Sequence, residues 1–180
     1  DVCSSDLVFT ASSGSPFTYI YASDANRDGT GNNDLIYVPK DSADFRYVPV
    51  AGETRTPSQV WQALDSFIKS QPGLDALRGQ IAPRNTGRTP WNSQVDLRIL
   101  QDLPVSMAAG HKVQITLDIV NLGAMLGTTW GRQYFVPNEE NYNFKLLRVT
   151  QTSAQGMATG FSFDGVPNNT PWQYDNLTSR

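Results

Sequence analysis

Two alternating segments within residues 93–122, SQVDLRILQDLPVSMAAGHKVQITLDIVNL, decide the fold of this chain. In each segment apolar residues occupy almost every second position, and a short turn-like piece joins the two. The apolar set is Val95, Leu97, Ile99, Val113, Ile115, Leu117 and Ile119, and the ionic residues between them are Asp96, Arg98, Lys112 and Asp118. Because side chains two apart on a strand share a face, the pattern predicts a β-hairpin with one apolar and one polar face.

Two kinds of protein contain such hairpins. In a soluble β-sandwich the apolar face packs in the core and the polar face meets water. In an outer-membrane barrel the apolar face meets lipid, the polar face lines the lumen, and aromatic residues gather at the interfaces. Each arm has about 10 residues, which is enough to cross a membrane when tilted. The ionic polar face and the aromatic residues near predicted strand ends favour the barrel; these are Tyr19, Tyr21, Tyr37, Trp91, Trp130 and Tyr134.

Composition narrows the function classes further. The 180 residues include 14 Lys and Arg against 17 Asp and Glu, for a net charge of -3, without a basic run. This argues against nucleic-acid binding, which needs clustered cations to neutralise phosphates. Charged residues make up 17% of the chain, and the mean hydropathy is -0.38, so the polarity comes from amides, hydroxyls and glycine. Such a mixture is typical of β-structure with long polar loops, and we expect an all-β, mainly antiparallel fold.

One helix interrupts the predicted β-structure. Thr56 can cap its N-terminus, Pro57 suits its first position, and Gln59 completes a capping box. An apolar stripe at helical spacing predicts that it packs on its own domain, and Pro72-Gly73 ends it. The stripe is Val60, Trp61, Leu64, Phe67 and Ile68. We further predict strands in residues 8–22, interrupted at Gly14-Ser15-Pro16, in 34–39, in 45–50 and in 143–151.

A polar loop, SDANRDGTGNNDLIYVP (residues 23–39), is the one metal candidate. Its candidate calcium ligands are Asp24, Asn26, Asp28, Asn32 and Asp34. A helix–loop–helix calcium site ends with a bidentate carboxylate at position 12, where this loop has Leu35. Asn, Asp and Gly also form tight turns, since they tolerate left-handed backbone angles. A structural turn and a calcium site both remain open at this point.

Sequence motifs do not indicate an enzyme. The single histidine, His111, lies in the predicted hairpin turn, and no nucleophile, zinc, dinucleotide or phosphate-loop motif occurs. We therefore expect no catalysis, and no cofactor other than calcium.

Four segments in order carry a family resemblance: residues 14–39, the helix at 56–68, residues 78–104 and residues 112–134. Together they resemble the C-terminal part of the TonB-dependent outer-membrane receptors, in particular the Oar-like branch. That family consists of bacterial outer-membrane barrels of about 22 strands that enclose a plug. The resemblance implies energised uptake of a solute, or export, with membrane lipid, the plug and the TonB complex as partners.

On this resemblance, residues 8–180 are a partial barrel domain that lacks the plug and the terminal strand, with the helix in a loop. Residues 1–7, DVCSSDL, can be encoded by the end of a sequencing adapter, and we predict that they are not native. The alternative is a secreted, soluble β-sandwich that binds carbohydrate or protein and is stabilised by calcium.

Overall fold

A computed structural model describes residues 3–31, 33–103, 113–127, 129–137 and 142–175. The described residues divide into two compact units. One unit draws on residues 1–14, 90–135 and 174–180, and the other draws on residues 15–89 and 136–173. Among the described residues, no helix is both long enough and apolar enough to cross a membrane.

The first unit contains an antiparallel sheet of three strands. Its order is β1 (Cys3–Ser12), β4 (Asn92–Leu103) and β5 (Val113–Ile119), with β4 in the middle. The predicted hairpin is therefore confirmed, with Leu103 paired to Val113. A short helix, α3 (Leu122–Leu126), follows β5. Strand β6 (Gln133–Phe135) comes next, and it pairs with β9 (Gln173–Asp175).

The second unit has a four-stranded sheet and the helices. The strand order is β3 (Gly87–Arg88), β2 (Pro16–Tyr21), β7 (Asn143–Thr152) and β8 (Ala158–Ser162). The pairs β2–β3 and β7–β8 are antiparallel, whereas the central pair β2–β7 is parallel. The all-β, mainly antiparallel class is confirmed, with this one parallel pair as an addition.

Helix α1 (Pro57–Ser70) begins and ends as its sequence predicts. The Thr56 hydroxyl accepts the amide of Gln59, and the Gln59 side chain accepts the amide of Thr56, so the capping box is complete. A single further turn, α2 (Pro72–Asp75), follows. Four residues of the stripe, Val60, Leu64, Phe67 and Ile68, are fully buried in the core of the second unit, and Trp61 packs against that core. The helix therefore packs on its own unit, as predicted.

Several predicted strands differ from the structure. Residues 8–22 form two strands in different sheets, because Gly14-Ser15-Pro16 separates β1 from β2. Residues 34–39 and 45–50 form only isolated bridges, such as those of Leu35 with Ile20 and of Tyr47 with Phe161. Both segments carry prolines, which donate no hydrogen bond to a ladder.

Strand β1 includes residues 3–7, part of the segment predicted to be non-native. Leu7 pairs with Leu97, and Cys3 pairs with Gln101. Backbone ladders require no particular side chain, so this pairing does not bear on the origin of the segment.

Candidate functional site

One face of the β1–β4–β5 sheet carries the predicted apolar set. The register places Leu97 between Leu7 and Ile119, and it pairs Ile99 with Leu117. Directly paired residues of antiparallel strands project to the same side of a sheet. The other predicted members, Val95, Val113 and Ile115, lie at two-residue intervals along the same strands. The alternation in the sequence thus becomes one largely apolar face, interrupted by Gln101, which pairs with Ile115, and by Ser5, which pairs with Ile99.

Part of this apolar face is exposed. Val113, Ile115 and Leu117 are exposed, whereas the other four predicted residues, Val95, Leu97, Ile99 and Ile119, are half-buried. Leu117 and Ile115 are 51% and 55% exposed, and Leu7 and Phe9 of β1 are 67% and 66% exposed. In the described part of the chain, none of the seven predicted apolar residues is buried. A contiguous exposed apolar surface marks a contact with lipid or with another protein.

The opposite face of the same sheet is mostly polar and ionic, and it also carries two apolar residues, Val8 and Leu100. Arg98 and Asp118 occupy paired positions, and their side chains form an ion pair of 3.3 Å. Further along, the Gln114 amide donates to Asp102 at 2.9 Å. Both partners of the ion pair are more than half exposed, so it adds little stability in water. Two predicted residues of the hairpin, Lys112 and His111, lie outside the described residues.

The Asp/Asn/Gly loop is held by hydrogen bonds from its own backbone amides. Asp24 accepts the amide of Gly29 at 2.9 Å, and Asp28 accepts the amide of Thr30 at 2.8 Å. The side-chain amide of Asn33 also donates to Asp28, at 2.9 Å. This donor, followed by the Thr30 amide, lowers the pKa of Asp28. Arg27 and Gly29 adopt positive φ angles of 59° and 87°, the left-handed conformation that a tight turn requires.

The structure brings only part of the predicted calcium set together. Asp24, Asn26 and Asp28 share the loop tip, where Asn26 and Asp28 also bond to each other. Asp34 instead accepts the backbone amides of Ala25 and Asn26 at the base of the loop. Asn32 lies outside the described residues. Among the residues that are described, no group of three or more acidic, histidine or cysteine side chains could hold a metal ion. The amide contacts favour the structural-turn interpretation.

The predicted aromatic girdle is partly wrong. Tyr19 and Tyr21 are 1% and 8% exposed, and they belong to the core of the second unit. Burial raises the pKa of Tyr19, and its hydroxyl donates to Gln71 at 3.3 Å. Trp91 and Trp130, in the first unit, are 68% and 63% exposed.

Sequence reasoning missed a cavity of about 450 Å³ beside the base of the loop. Its lining comes from three separated segments, around residues 21–35, at Ile81 and at 157–161. The alternation of Phe161 and Phe163 predicts apolar packing there, but no local pattern indicates which segments meet.

Comparisons with models of protein families, with curated proteins and with solved structures find no match.

Proposed function

We propose that this chain supplies strands to the barrel wall of a TonB-dependent, Oar-like transporter in the bacterial outer membrane. The parent protein would move a solute across that membrane, by uptake or by export, with energy from a TonB complex. The observation that carries the proposal is the antiparallel sheet with an exposed apolar face and an ionic opposite face. In a barrel wall these faces meet lipid and lumen respectively.

The length of β4 fits a bilayer, whereas β5, with 7 residues, is shorter than the predicted arm of about 10. β4 has 12 residues. At roughly 3.4 Å per residue and a tilt of about 40°, such a strand spans about 30 Å along the membrane normal. The hydrocarbon core of a bilayer has about the same thickness. β4 is therefore long enough to cross without help from neighbouring loops.

The connections between the strands also fit a barrel. Residues 13–91 link β1 to its neighbour β4, whereas only residues 104–112 link β4 to β5. Outer-membrane barrels have long loops on the extracellular side and short turns on the periplasmic side. By this rule the connection at 104–112 is periplasmic, and residues 13–91 belong to an extracellular excursion.

The second unit does not fit the barrel wall. Its central pair, β2–β7, is parallel, whereas the strands of a bacterial barrel wall are antiparallel. It also buries Phe17, Phe67 and Phe163 in a core of its own. We therefore assign it to the extracellular excursions, which is where the resemblance to the family places the helix and the polar loop.

The three strands of the first unit are too few to close into a barrel. The smallest membrane barrels have about 8 strands, and open sheet edges do not occur within lipid. β1 and β5 each lie at an edge of the described sheet. The rest of the parent chain must supply the remaining wall strands. It must also supply the plug, which contacts the polar face, and the segment that contacts TonB. The solute remains unidentified, because its ligands would come largely from those parts.

A soluble β-sandwich accounts less well for the sheet. A second sheet would have to cover the apolar face at about 10 Å. Leu117 and Ile115 are 51% and 55% exposed, and among its described residues the first unit contains no second sheet that covers them. The carbohydrate- or protein-binding sandwich therefore stands as the alternative that the experiment must exclude.

The nucleotide sequence on both sides of this coding segment tests the proposal. We expect about ten or more additional alternating strands upstream and one strand with a terminal aromatic residue downstream. A complete reading frame of this length would refute the barrel. The same sequence tests residues 1–7, since an uninterrupted natural coding sequence through them would refute the adapter origin.

A second test follows the parent protein through cell fractionation. We expect it in the outer-membrane fraction, resistant to extraction with alkaline carbonate, and heat-modifiable on electrophoresis as barrels are. Recovery in the culture supernatant as a protein that stays dissolved without detergent would favour the sandwich instead.

A further inference from the structure

The cavity beside the polar loop has the size and lining of a small-molecule site. Its volume of about 450 Å³ lies within the usual range of such sites. Tyr21 and Phe161 stack in its lining, with ring centroids 5.1 Å apart and planes at 21°. All the lining residues belong to the second unit, so nothing that follows depends on the membrane proposal.

A buried carboxylate gives the cavity negative charge. Asp34 lines the cavity and is 7% exposed. Its Oδ2 accepts two neutral donors, the backbone amides of Ala25 and Asn26, and among the described residues it has no ion-pair partner. Its charge reaches Tyr21, whose pKa is raised mainly by burial and further by Asp34. A buried carboxylate without a cation is costly, and a bound cation would offset that cost.

A second lining residue, Asn33, has a polar atom without a hydrogen-bond partner. The Oδ1 atom of Asn33 is buried and accepts no hydrogen bond, whereas the amide nitrogen of the same side chain donates to Asp28. An unpaired buried acceptor requires a donor. Because Asp34 and Asn33 both offer acceptors here, the cavity suits a ligand that carries several N–H donors and a positive charge.

The remaining lining selects the body of the ligand. Leu35 and Met157 are apolar, and the Tyr21–Phe161 pair offers aromatic surface that favours apolar groups and cations. The loop at 23–34 contains three carboxylates, Asp24, Asp28 and Asp34, and a single arginine, Arg27, so its net charge also repels anions.

We propose that this cavity binds a small organic ammonium ion with an aromatic or aliphatic body. The ammonium group bonds to Asp34 and Asn33, and the apolar body lies against the aromatic pair.

The test titrates the ¹⁵N-labelled 180-residue chain, in non-ionic detergent, with phenethylammonium. We expect saturable shifts of the amide signals of residues around the cavity, such as Ala25, Asp34 and Ala158, at concentrations up to about 10 mM. The neutral analogue 2-phenylethanol has nearly the same shape and lacks the charge. It should bind at least about tenfold more weakly. Equal affinity would overturn the proposal, and so would the absence of saturable shifts at these positions.

A matched pair of variants tests the charge without disturbing the loop. Met157 is 53% exposed, and its side chain does not take part in the hydrogen bonds that hold the loop. We expect M157K to weaken phenethylammonium binding by about tenfold, through the like charge, and M157Q to leave it nearly unchanged. The same loss in both variants would contradict an electrostatic site. Calcium alone is the third arm: if it saturates the same signals and blocks phenethylammonium, the cavity is a metal site and the proposal fails.

Discussion

Replacing Leu117 by arginine distinguishes a lipid-facing sheet from one that faces water. Leu117 lies next to the centre of β5, on the apolar face, where it pairs with Ile99. In a barrel wall this position would be near the bilayer midplane, and a guanidinium there would lose its hydration. We expect L117R to destabilise the inserted parent barrel strongly.

The expected loss of folding free energy in L117R follows from the exposure of the leucine side chain. Leu117 is 51% exposed. If the sheet faces water, its replacement should therefore cost only about half the hydrophobic free energy of a fully buried leucine, roughly 1 kcal/mol. In lipid, arginine near the midplane costs roughly 2–4 kcal/mol. Thr116, the adjacent residue on the polar face, provides the control. T116R should change stability by no more than about 0.5 kcal/mol in either environment.

The assay is urea titration of the parent barrel refolded into phosphatidylcholine vesicles, with the heat-dependent gel shift as the measure of the folded fraction. We expect L117R to lower the free energy of unfolding by at least about 2 kcal/mol more than T116R does. Equal effects would refute the assignment of the two faces, and a larger effect of T116R would reverse it.

Three further predictions concern the second unit. Thr56→Ala removes the helix cap and should lower the free energy of unfolding by about 1 kcal/mol in urea titrations. Thr56→Ser keeps a capping hydroxyl and should retain most of that stability. Hydrogen bonds from Arg55 lower the pKa of Glu53 from 4.5 to about 2. Because this folded-state pKa is lowered, the contribution of Glu53 is complete above pH 4.5 and disappears as the pH falls towards 2. The difference in melting temperature between wild type and Glu53→Gln should therefore shrink over that window, and a constant difference would contradict the pKa shift. Asp24→Ala removes the acceptor of the Gly29 amide and should cost roughly 1 kcal/mol without calcium. We expect calcium to leave the wild-type melting temperature unchanged; a rise that Asp24→Ala abolishes would show a metal site.

The elements that local sequence specifies were predictable. The hairpin follows from nearly regular two-residue alternation, because a shift of one residue would reverse both faces. Helix α1 follows from its cap and from a stripe that includes Val60, Leu64 and Ile68, since each of these signals lies within a few residues of the others. The polar loop follows from residues that favour left-handed turns.

The features that the sequence did not reveal depend on contacts between distant segments. Tyr19 and Tyr21 alternate as membrane-interface aromatics would, yet they are buried, because residues of α1 and β7 pack around them. The cavity also joins residues more than a hundred positions apart, such as Tyr21 and Phe161. Periodicity identifies which face of a strand is apolar, but it does not identify what covers that face.

The parallel pair β2–β7 of the second unit joins two segments that lie far apart in the chain. The chain passes from β1 directly into β2, and after β5 and β6 it continues into β7, the parallel neighbour of β2. Parallel strands need a long crossover connection, and here the β4–β5 hairpin is part of that connection. The core that buries Phe17 is completed by Leu147 and Phe163, which follow the hairpin in the chain, so the second unit can form only after the hairpin has been synthesised.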